Sequence, residues 1–240
     1  MKNVITLVIV FLTVSIYGQK TINFPSKDGL MMTADVYEAN DSNQFILLFH
    51  QAGWSRGEYL EIAPKLNSLG YSCIAMDQRS GGTVNGVENQ TKALAEKEGK
   101  QTEFTDAFQD IEAAVGYIKK TYNPEKIIIW GSSYSSALVL KYAGDNPDAV
   151  NAVLSFAPGE YFGKKNFITS SASNIKVPVF ITSAKNEKKN WSGIYDAIPS
   201  GKKQFFLPET KGNHGSRALW DKFSDSQDYW KAVKEFLKTI

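Results

Sequence analysis

The sequence predicts an α/β fold in which a mostly parallel sheet carries helices on both faces. Short apolar runs, typical of buried strands, alternate along the chain with longer segments in which apolar residues recur every three or four positions. This alternation is typical of parallel strands joined by crossover helices. The chain has 240 residues, of which 42% are hydrophobic and 22% charged, so one folded domain of ordinary composition is expected.

The predicted strands are short runs rich in β-branched and aromatic residues. They cover residues 44–49, 73–76, the run before Gly131, 150–156, 177–182 and 204–207. Residues 22–37 differ, because two short strand candidates flank the turn signal Lys27-Asp28-Gly29. This segment predicts an antiparallel hairpin at one edge of the sheet.

Helices are predicted where apolar residues share one face. Steps of three or four separate the apolar residues of 104–122, which are Phe104, Phe108, Ile111, Val115 and Ile118. The other predicted helices cover residues 58–69, 136–143 and 229–237. Residues 83–103 are polar and irregular, and could fold partly over a site at the carboxyl ends of the strands, where chemistry collects in parallel sheets.

Charge and composition argue against a nucleic-acid partner, a disulfide and a metal site. The formal net charge is +2, which is too small to indicate nucleic acid as a partner. Cys73 is the single cysteine and stands in an apolar run, which predicts a buried thiol and no intramolecular disulfide. The two histidines, His50 and His214, occur in no metal-binding pattern, so no metal site is predicted.

The first 18 residues have the features of a secretory signal peptide. Lys2 precedes the apolar run 4–16, and Tyr17-Gly18-Gln19 returns to small and polar residues. The run is shorter than the about 20 residues of a transmembrane helix; a buried strand or an uncleaved anchor is the alternative. Cleavage after Gly18 would leave residues 19–240 as the folded domain, secreted or periplasmic and without a membrane span.

A serine stands at the apex of a predicted strand-turn-helix unit. The apolar run of residues 126–130 ends at Gly131-Ser132-Ser133-Tyr134-Ser135, and helix-forming residues follow. This arrangement is typical of the nucleophile elbow, whose G-x-S-x-G pattern lacks only its second glycine here. Ser133 is therefore the predicted nucleophile. A serine-rich helix cap and a shifted frame with Ser135 as nucleophile are the alternatives; Gly131 favours Ser133, because glycine tolerates strained backbone.

A carboxylate and a histidine follow in the order typical of this elbow. His214 lies among small residues after the last predicted strand, where a neutral imidazole could take the serine proton and return it to a leaving group. A surface or structural role is its alternative. Glu187, five residues beyond the strand 177–182, is predicted to orient the histidine. Asp196, in a predicted helix, is the other candidate acid.

The loop after the strand 44–49 reads His50-Gln51-Ala52-Gly53-Trp54. A backbone N–H of Ala52 or Gln51, together with that of Tyr134, is predicted to form an oxyanion hole. Such a pair of donors stabilises the negative oxygen that develops during acyl transfer. His50 follows the strand directly, which indicates a structural role beside this loop.

With these residues in place, residues 20–238 resemble the α/β-hydrolase family, and within it the small dienelactone-hydrolase-like branch, here with a serine nucleophile. The motifs that carry the resemblance are HQAG at 50–53, DQRSGG at 77–82, GSSYS at 131–135, the acid loop 178–187 and NHG at 213–215. Three positions depart from the family pattern: Ser135 for glycine, Gln51 for glycine and Glu187 for aspartate.

The resemblance implies an eight-stranded sheet whose second strand is antiparallel. It also implies a Ser-acid-His triad, with Glu187 on the acid position, and neither cofactor nor metal. Only about 20 residues separate Ala157 from Pro178, too few for the large helical cap of many relatives. Dienelactone hydrolases proper use a cysteine, so Ser133 does not imply lactone chemistry.

The sequence thus predicts an exported serine hydrolase that cleaves small carboxylic esters through an acyl-enzyme. Its expected partner is a small-molecule ester substrate. A peptidase or an acyltransferase with the same three residues is the alternative, and a non-catalytic binding protein on this fold is a further one. Nothing in the sequence selects an acyl group, an alcohol or an oligomeric state.

Overall fold

The computed structural model describes residues 19–199 and 201–240. The predicted signal peptide, residues 1–18, lies outside them. Within the described ranges, no helix is long and apolar enough to cross a membrane.

Strands and helices alternate along the chain as predicted. The strands are β1 (Gln19–Pro25), β2 (Met31–Tyr37), β3 (Gln44–Phe49), β4 (Ser72–Met76), β5 (Thr83–Val84), β6 (Val87–Glu88), β7 (Lys126–Ser132), β8 (Ala152–Phe156), β9 (Val179–Thr182) and β10 (Gln204–Phe206). The helices are α1 (Ile62–Asn67), α2 (Gln90–Lys97), α3 (Phe108–Tyr122), α4 (Tyr134–Asp145), α5 (Phe167–Ala172), α6 (Lys188–Ala197) and α7 (Ser226–Leu237). Short 3₁₀ helices cover Arg56–Tyr59, Lys185–Glu187 and Ser216–Leu219.

Eight of the strands form one sheet, in the order β1-β2-β4-β3-β7-β8-β9-β10. β2 runs antiparallel to β1 and to β4, and the other neighbouring pairs are parallel. The predicted fold class, a mostly parallel eight-stranded sheet with an antiparallel second strand, is confirmed. The hairpin predicted within residues 22–37 consists of β1 and β2.

Both faces of the sheet are buried, which explains why its central strands are apolar throughout. In β7, Ile127 and Ile129 face one core, to which α3, α4 and α6 contribute. Ile128 and Trp130 face a second core with α1 and α7. Cys73 is fully buried in β4, as its apolar neighbours predicted.

Two predicted helices begin later than their apolar spacing indicates. α3 starts at Phe108 instead of residue 104, because Asp106 accepts a hydrogen bond from the Glu103 N–H and closes a turn there. The segment 58–69 divides into a 3₁₀ helix and α1, whose third residue is Pro64. Proline is accommodated in the first turn of a helix, where its missing N–H needs no partner.

The polar segment 83–103 is more ordered than its sequence indicates. It contains the hairpin of β5 and β6, followed by α2. Asn89 caps α2 and also donates to the carbonyls of Trp54 and Gln78. The start of this segment is therefore fixed beside the loop that follows β3.

The connection between β8 and β9 contains α5, which is six residues long. The described part of the chain accordingly has no large cap over the sheet, as the short spacing between Ala157 and Pro178 predicted.

Asp110→Asn should lower the free energy of unfolding by about 3 kcal/mol, because it leaves the buried guanidinium of Arg79 without its main counter-charge. Nη2 of Arg79 lies 2.8 Å from Asp110 Oδ1, and both side chains are almost fully buried. Asp28 still binds the guanidinium, so the loss of unfolding free energy should lie at the low end of the range typical of a broken buried ion pair. Urea unfolding measures it. Asp145→Asn, in an exposed pair with Lys141, is the control and should cost less than about 1 kcal/mol; an equal loss in both variants would contradict this interpretation.

Candidate active site

Ser133 stands at the sharp turn between β7 and α4. Its backbone has φ 57° and ψ −121°, a conformation that costs a non-glycine residue about 1–3 kcal/mol. Its N–H donates to the Phe156 carbonyl at 2.8 Å, which fixes the turn to β8. Gly131 permits the close approach of α4, because a Cβ at that position would lie 2.4 Å from the Ser135 carbonyl oxygen.

Ser135 occupies the position where the elbow pattern has its second glycine. Its side chain is fully buried, and its Oγ lies within hydrogen-bond distance of the His50 carbonyl and of Gln78 Oε1. The departure from glycine therefore adds polar contacts between α4 and the loops after β3 and β4. A fully buried hydroxyl does not reach a substrate, so the alternative frame with Ser135 as nucleophile does not fit the structure.

The structure brings the side chains of Ser133, His214 and Glu187 together. Nε2 of His214 lies 2.8 Å from Ser133 Oγ, and Nδ1 lies 2.6 Å from Glu187 Oε1. With Glu187 as a carboxylate, Nδ1 carries the proton and Nε2 accepts from the serine hydroxyl. Asp196, the alternative acid, lies in α6 and makes no hydrogen bond with the histidine.

Hydrogen bonds between loops hold this arrangement. Oε2 of Glu187 accepts from the Ala184 N–H at 3.0 Å, so its own loop orients the carboxylate. The Lys185 N–H donates to the Lys211 carbonyl at 3.0 Å, which joins this loop to the loop that carries His214. The side chains of His214 and Glu187 stay 32% and 21% exposed, so solvent reaches both.

The N–H groups of Ala52 and Tyr134 are available as oxyanion donors. Tyr134 is the first residue of α4, so its backbone N–H has no partner within the helix. The dipole of α4 also favours a negative charge at this end of the helix. The Ala52 N–H donates to no other described residue. The prediction for Gln51 requires correction: its N–H donates to Glu58 Oε2 at 2.8 Å, so it is not available to a substrate.

Aromatic side chains border the surface near Ser133. Phe104 stacks on Tyr134, with ring centroids 4.7 Å apart, and the Tyr161 hydroxyl donates to the Ala157 carbonyl at 2.7 Å. A cavity of about 280 Å³ is lined by Glu103, Phe104, Thr105, Tyr161 and Phe162. A larger cavity, of about 430 Å³, lies between β10 and α7 and includes none of these residues.

Known proteins resemble this chain in both sequence and fold. Residues 40–160, just over half of the chain, match the family described as serine aminopeptidase S33. The chain belongs to this family. It is a carboxylesterase-like serine hydrolase of the dienelactone-hydrolase-like α/β-hydrolase type.

A putative carboxymethylenebutenolidase of Aquifex aeolicus is 27% identical to this hydrolase over 178 residues, which cover 71% of the chain and 73% of the relative. Among solved structures, an esterase of Pyrococcus furiosus has a TM-score of 0.71 at 19% identity and covers 93% of each chain. A dienelactone hydrolase of Anabaena variabilis has a TM-score of 0.72 at 12% identity, covering 92% of this chain and 97% of that one. At these identities, the structural likeness shows the fold.

His50 has a structural place in this hydrolase, as its position after a strand predicted. It is fully buried; Nε2 accepts from the Gln78 N–H at 3.0 Å and Nδ1 faces the Gln51 carbonyl at 2.9 Å. Burial lowers the pKa of His50 to about 4, so the ring is neutral at pH 7 and carries its proton on Nδ1. The imidazole therefore links the loops after β3 and β4.

Glu58 is a residue of this site that the sequence analysis missed. Its carboxylate is fully buried and accepts from the Ser132 hydroxyl at 2.7 Å, in addition to the Gln51 N–H. Burial raises the pKa of Glu58 to about 7, against the hydrogen bonds, which lower it. The sequence places Glu58 at the start of a predicted helix, where an acidic residue usually faces solvent and complements the helix dipole. The one available signal is its closeness to the loop that starts at His50.

Proposed function

We propose that this protein is an exported serine hydrolase that cleaves small carboxylic esters through an acyl-enzyme. Ser133 is the nucleophile, His214 the general base and acid, and Glu187 the orienting carboxylate. One observation supports the proposal above the others. Ser133 Oγ, the imidazole and Glu187 Oε1 form a continuous hydrogen-bonded series, with distances of 2.8 Å and 2.6 Å.

The proposed reaction has two halves. Ser133 Oγ attacks the ester carbonyl while Nε2 of His214 takes the hydroxyl proton, and a tetrahedral oxyanion forms. The imidazolium then returns that proton to the leaving alcohol as the C–O bond breaks, which leaves an acyl-serine. In the second half, water attacks the acyl group with the imidazole as base, and the carboxylic acid and free serine result. Glu187 holds the imidazole in position and stabilises its positive charge.

The N–H groups of Ala52 and Tyr134 would stabilise the oxyanion in both halves. Ala52 lies in the loop after β3 and Tyr134 at the start of α4, and both follow strands at the carboxyl edge of the sheet. Removal of one such donor typically costs about 3 kcal/mol of transition-state stabilisation. These donors belong to the backbone, so side-chain substitution changes them only through their position.

The short connection between β8 and β9 leaves the carboxyl edge of the sheet open, which favours the proposal of a small substrate. α5 is the helix between β8 and β9, and the cavity near Ser133 has a volume of about 280 Å³. Phe104, Tyr161 and Phe162 contribute aromatic rings to its lining beside the polar Glu103 and Thr105, and more of the lining surface is polar than apolar. A short or aromatic acyl group fits this lining better than a long alkyl chain does.

A peptidase with the same three residues is the second candidate, because the matched family is described as serine aminopeptidase. Parallel assays with p-nitrophenyl esters of increasing chain length and with amino acid p-nitroanilides distinguish the two. Faster turnover of the anilides would favour the peptidase. A non-catalytic binding protein is disfavoured by the 2.8 Å between Ser133 Oγ and His214 Nε2, which is within range for proton transfer.

Export is supported by the charged, apolar and then small-residue pattern of residues 1–18. The proposed product is a secreted or periplasmic protein that begins at Gln19. Amino-terminal sequencing of the protein recovered outside the cytoplasm tests this, and recovery of an intact amino terminus from the cytoplasm would contradict it.

Ser133→Ala should lower kcat for a p-nitrophenyl ester at least about 1,000-fold, because no other hydroxyl takes over the attack. It should also abolish labelling by a fluorophosphonate probe, which the wild type should show on the peptide that contains Ser133. Ser68→Ala, at an exposed position, is the control and should keep both activity and labelling. Intact labelling of Ser133→Ala would overturn the assignment.

Glu187→Gln should lower kcat roughly 100- to 10,000-fold with KM little changed, because the amide favours the wrong imidazole tautomer. Glu187→Asp keeps the charge on a shorter side chain, so its loss should be smaller. Steady-state kinetics measure both, with the exposed Glu209→Gln as control. Wild-type kcat in Glu187→Gln, together with a loss in Asp196→Asn, would move the role to Asp196.

A further inference from the structure

Glu58 lies where three loops of the site meet. Its carboxylate is fully buried; Oε2 accepts from the Gln51 N–H at 2.8 Å, and Oε1 accepts from the Ser132 hydroxyl at 2.7 Å. Ser132 Oγ in turn accepts from the Ser216 N–H at 2.8 Å. One carboxylate and one hydroxyl thus join the loop after β3, the elbow and the loop that carries the histidine.

Each of these neighbours adjoins a residue of the proposed mechanism. Gln51 directly precedes an oxyanion donor, Ser132 directly precedes the nucleophile, and Ser216 lies two positions after the base. We propose that Glu58 is a positioning residue, whose ionised carboxylate sets the distances between the oxyanion N–H groups, the nucleophile and the base without touching the substrate. This role rests on the proposed function.

The surroundings direct the Glu58 side chain toward these partners. Trp220 Nε1–H donates to the Glu58 carbonyl at 2.9 Å, and the Tyr59 hydroxyl donates to the Phe49 carbonyl at 2.7 Å. The 3₁₀ turn is therefore fixed to the end of β3 and to the far side of the site. Gly215 leaves room for the network, because a Cβ there would lie 2.5 Å from Ser132 Oγ.

A carboxylate fits this position better than an amide does. Two donors converge on Glu58, one on each oxygen, and a carboxylate accepts with both. Glutamine has one accepting oxygen and a donating NH₂ group. With its oxygen on the Gln51 N–H, its NH₂ group would face the Ser132 hydroxyl, which could then only accept from it, and the hydroxyl proton would lose its acceptor.

The position is unfavourable for a charge, which argues that the carboxylate is kept for its function. Among the described residues, no cation forms an ion pair with Glu58. The titratable and charged groups that act on it are His214, Arg217, Tyr59 and Tyr134. Because burial raises the pKa of Glu58 to about 7, the ionised form, which accepts at both oxygens, predominates above that pH.

Glu58→Gln tests the proposal, with Glu61→Gln as the matched control. Glu61 is exposed, and its carboxylate accepts from the Asp221 N–H outside the site. We expect Glu58→Gln to lower kcat for a p-nitrophenyl ester roughly 10- to 100-fold, as when catalytic groups shift by about 1 Å, with KM nearly unchanged. Glu61→Gln should keep the wild-type kcat.

The pH dependence of kcat distinguishes a role for the charge of Glu58 in positioning from a role in packing alone. The ratio of wild-type to Glu58→Gln kcat should be largest above about pH 8, where wild-type Glu58 is ionised, and should shrink toward about pH 5.5, where it is protonated. A ratio that is constant over this range, or an unchanged kcat, would overturn the proposal.

Ser132→Ala is the second variant, and it decides the matter if Glu58→Gln does not fold by circular dichroism. It removes the hydroxyl link but keeps the carboxylate, so kcat should again fall, and most at high pH. Wild-type kcat in Ser132→Ala would contradict the proposal. Where both variants fold, the double variant should lose little more than the larger single loss, because the two side chains act as one unit.

Ser133→Ala distinguishes a failure of this proposal from a failure of the proposed function. If Ser133→Ala is inactive while Glu58→Gln is fully active, the positioning role is wrong and the function stands. If Ser133→Ala retains activity, both are wrong.

Discussion

The reversal of the chain at Ser133 is the constraint on which the rest of the site depends. A residue with φ 57° connects β7 directly to α4, and such backbone persists only where the surrounding structure holds it. The surroundings do so here, because both faces of the sheet are buried and the Ser133 N–H is bound to β8. The same reversal presents a serine hydroxyl beside the first N–H of a helix. One strained residue therefore supplies the proposed nucleophile and positions half of the proposed oxyanion hole.

The parallel sheet explains why the other groups reach the same place. Loops that follow β3, β9 and β10 leave the sheet at the edge where β7 ends, and they carry Ala52, Glu187 and His214 respectively. Hydrogen bonds between loops then fix the distances, as between the Lys185 N–H and the Lys211 carbonyl. Glu58 adds a buried connection of the same kind, since its carboxylate joins the oxyanion loop to the elbow by hydrogen bonds. Removing one side chain from such a network is expected to be destabilising, because a buried polar atom left without a hydrogen-bond partner costs free energy.

Features that depend on neighbours along the chain could be predicted from the sequence. Short apolar runs rich in β-branched and aromatic residues predicted the strands, and Gly131 with the following serines predicted the turn at Ser133. The partner of the Gln51 N–H could not be predicted, because it lies outside the loop and follows no motif. The Gln51 N–H is bound by a carboxylate seven residues later, which folds inward from what the sequence presents as an exposed helix start. The start of α3 differs for a local reason, because a turn closed by Asp106 competes with the apolar spacing.

Rapid-quench mass spectrometry during turnover of p-nitrophenyl acetate tests the central step most directly. We predict that a single acetyl group accumulates on the peptide that contains Ser133 and disappears as the substrate is exhausted. Turnover without acetylated enzyme, or an acetyl group on a different residue, would contradict the acyl-enzyme mechanism.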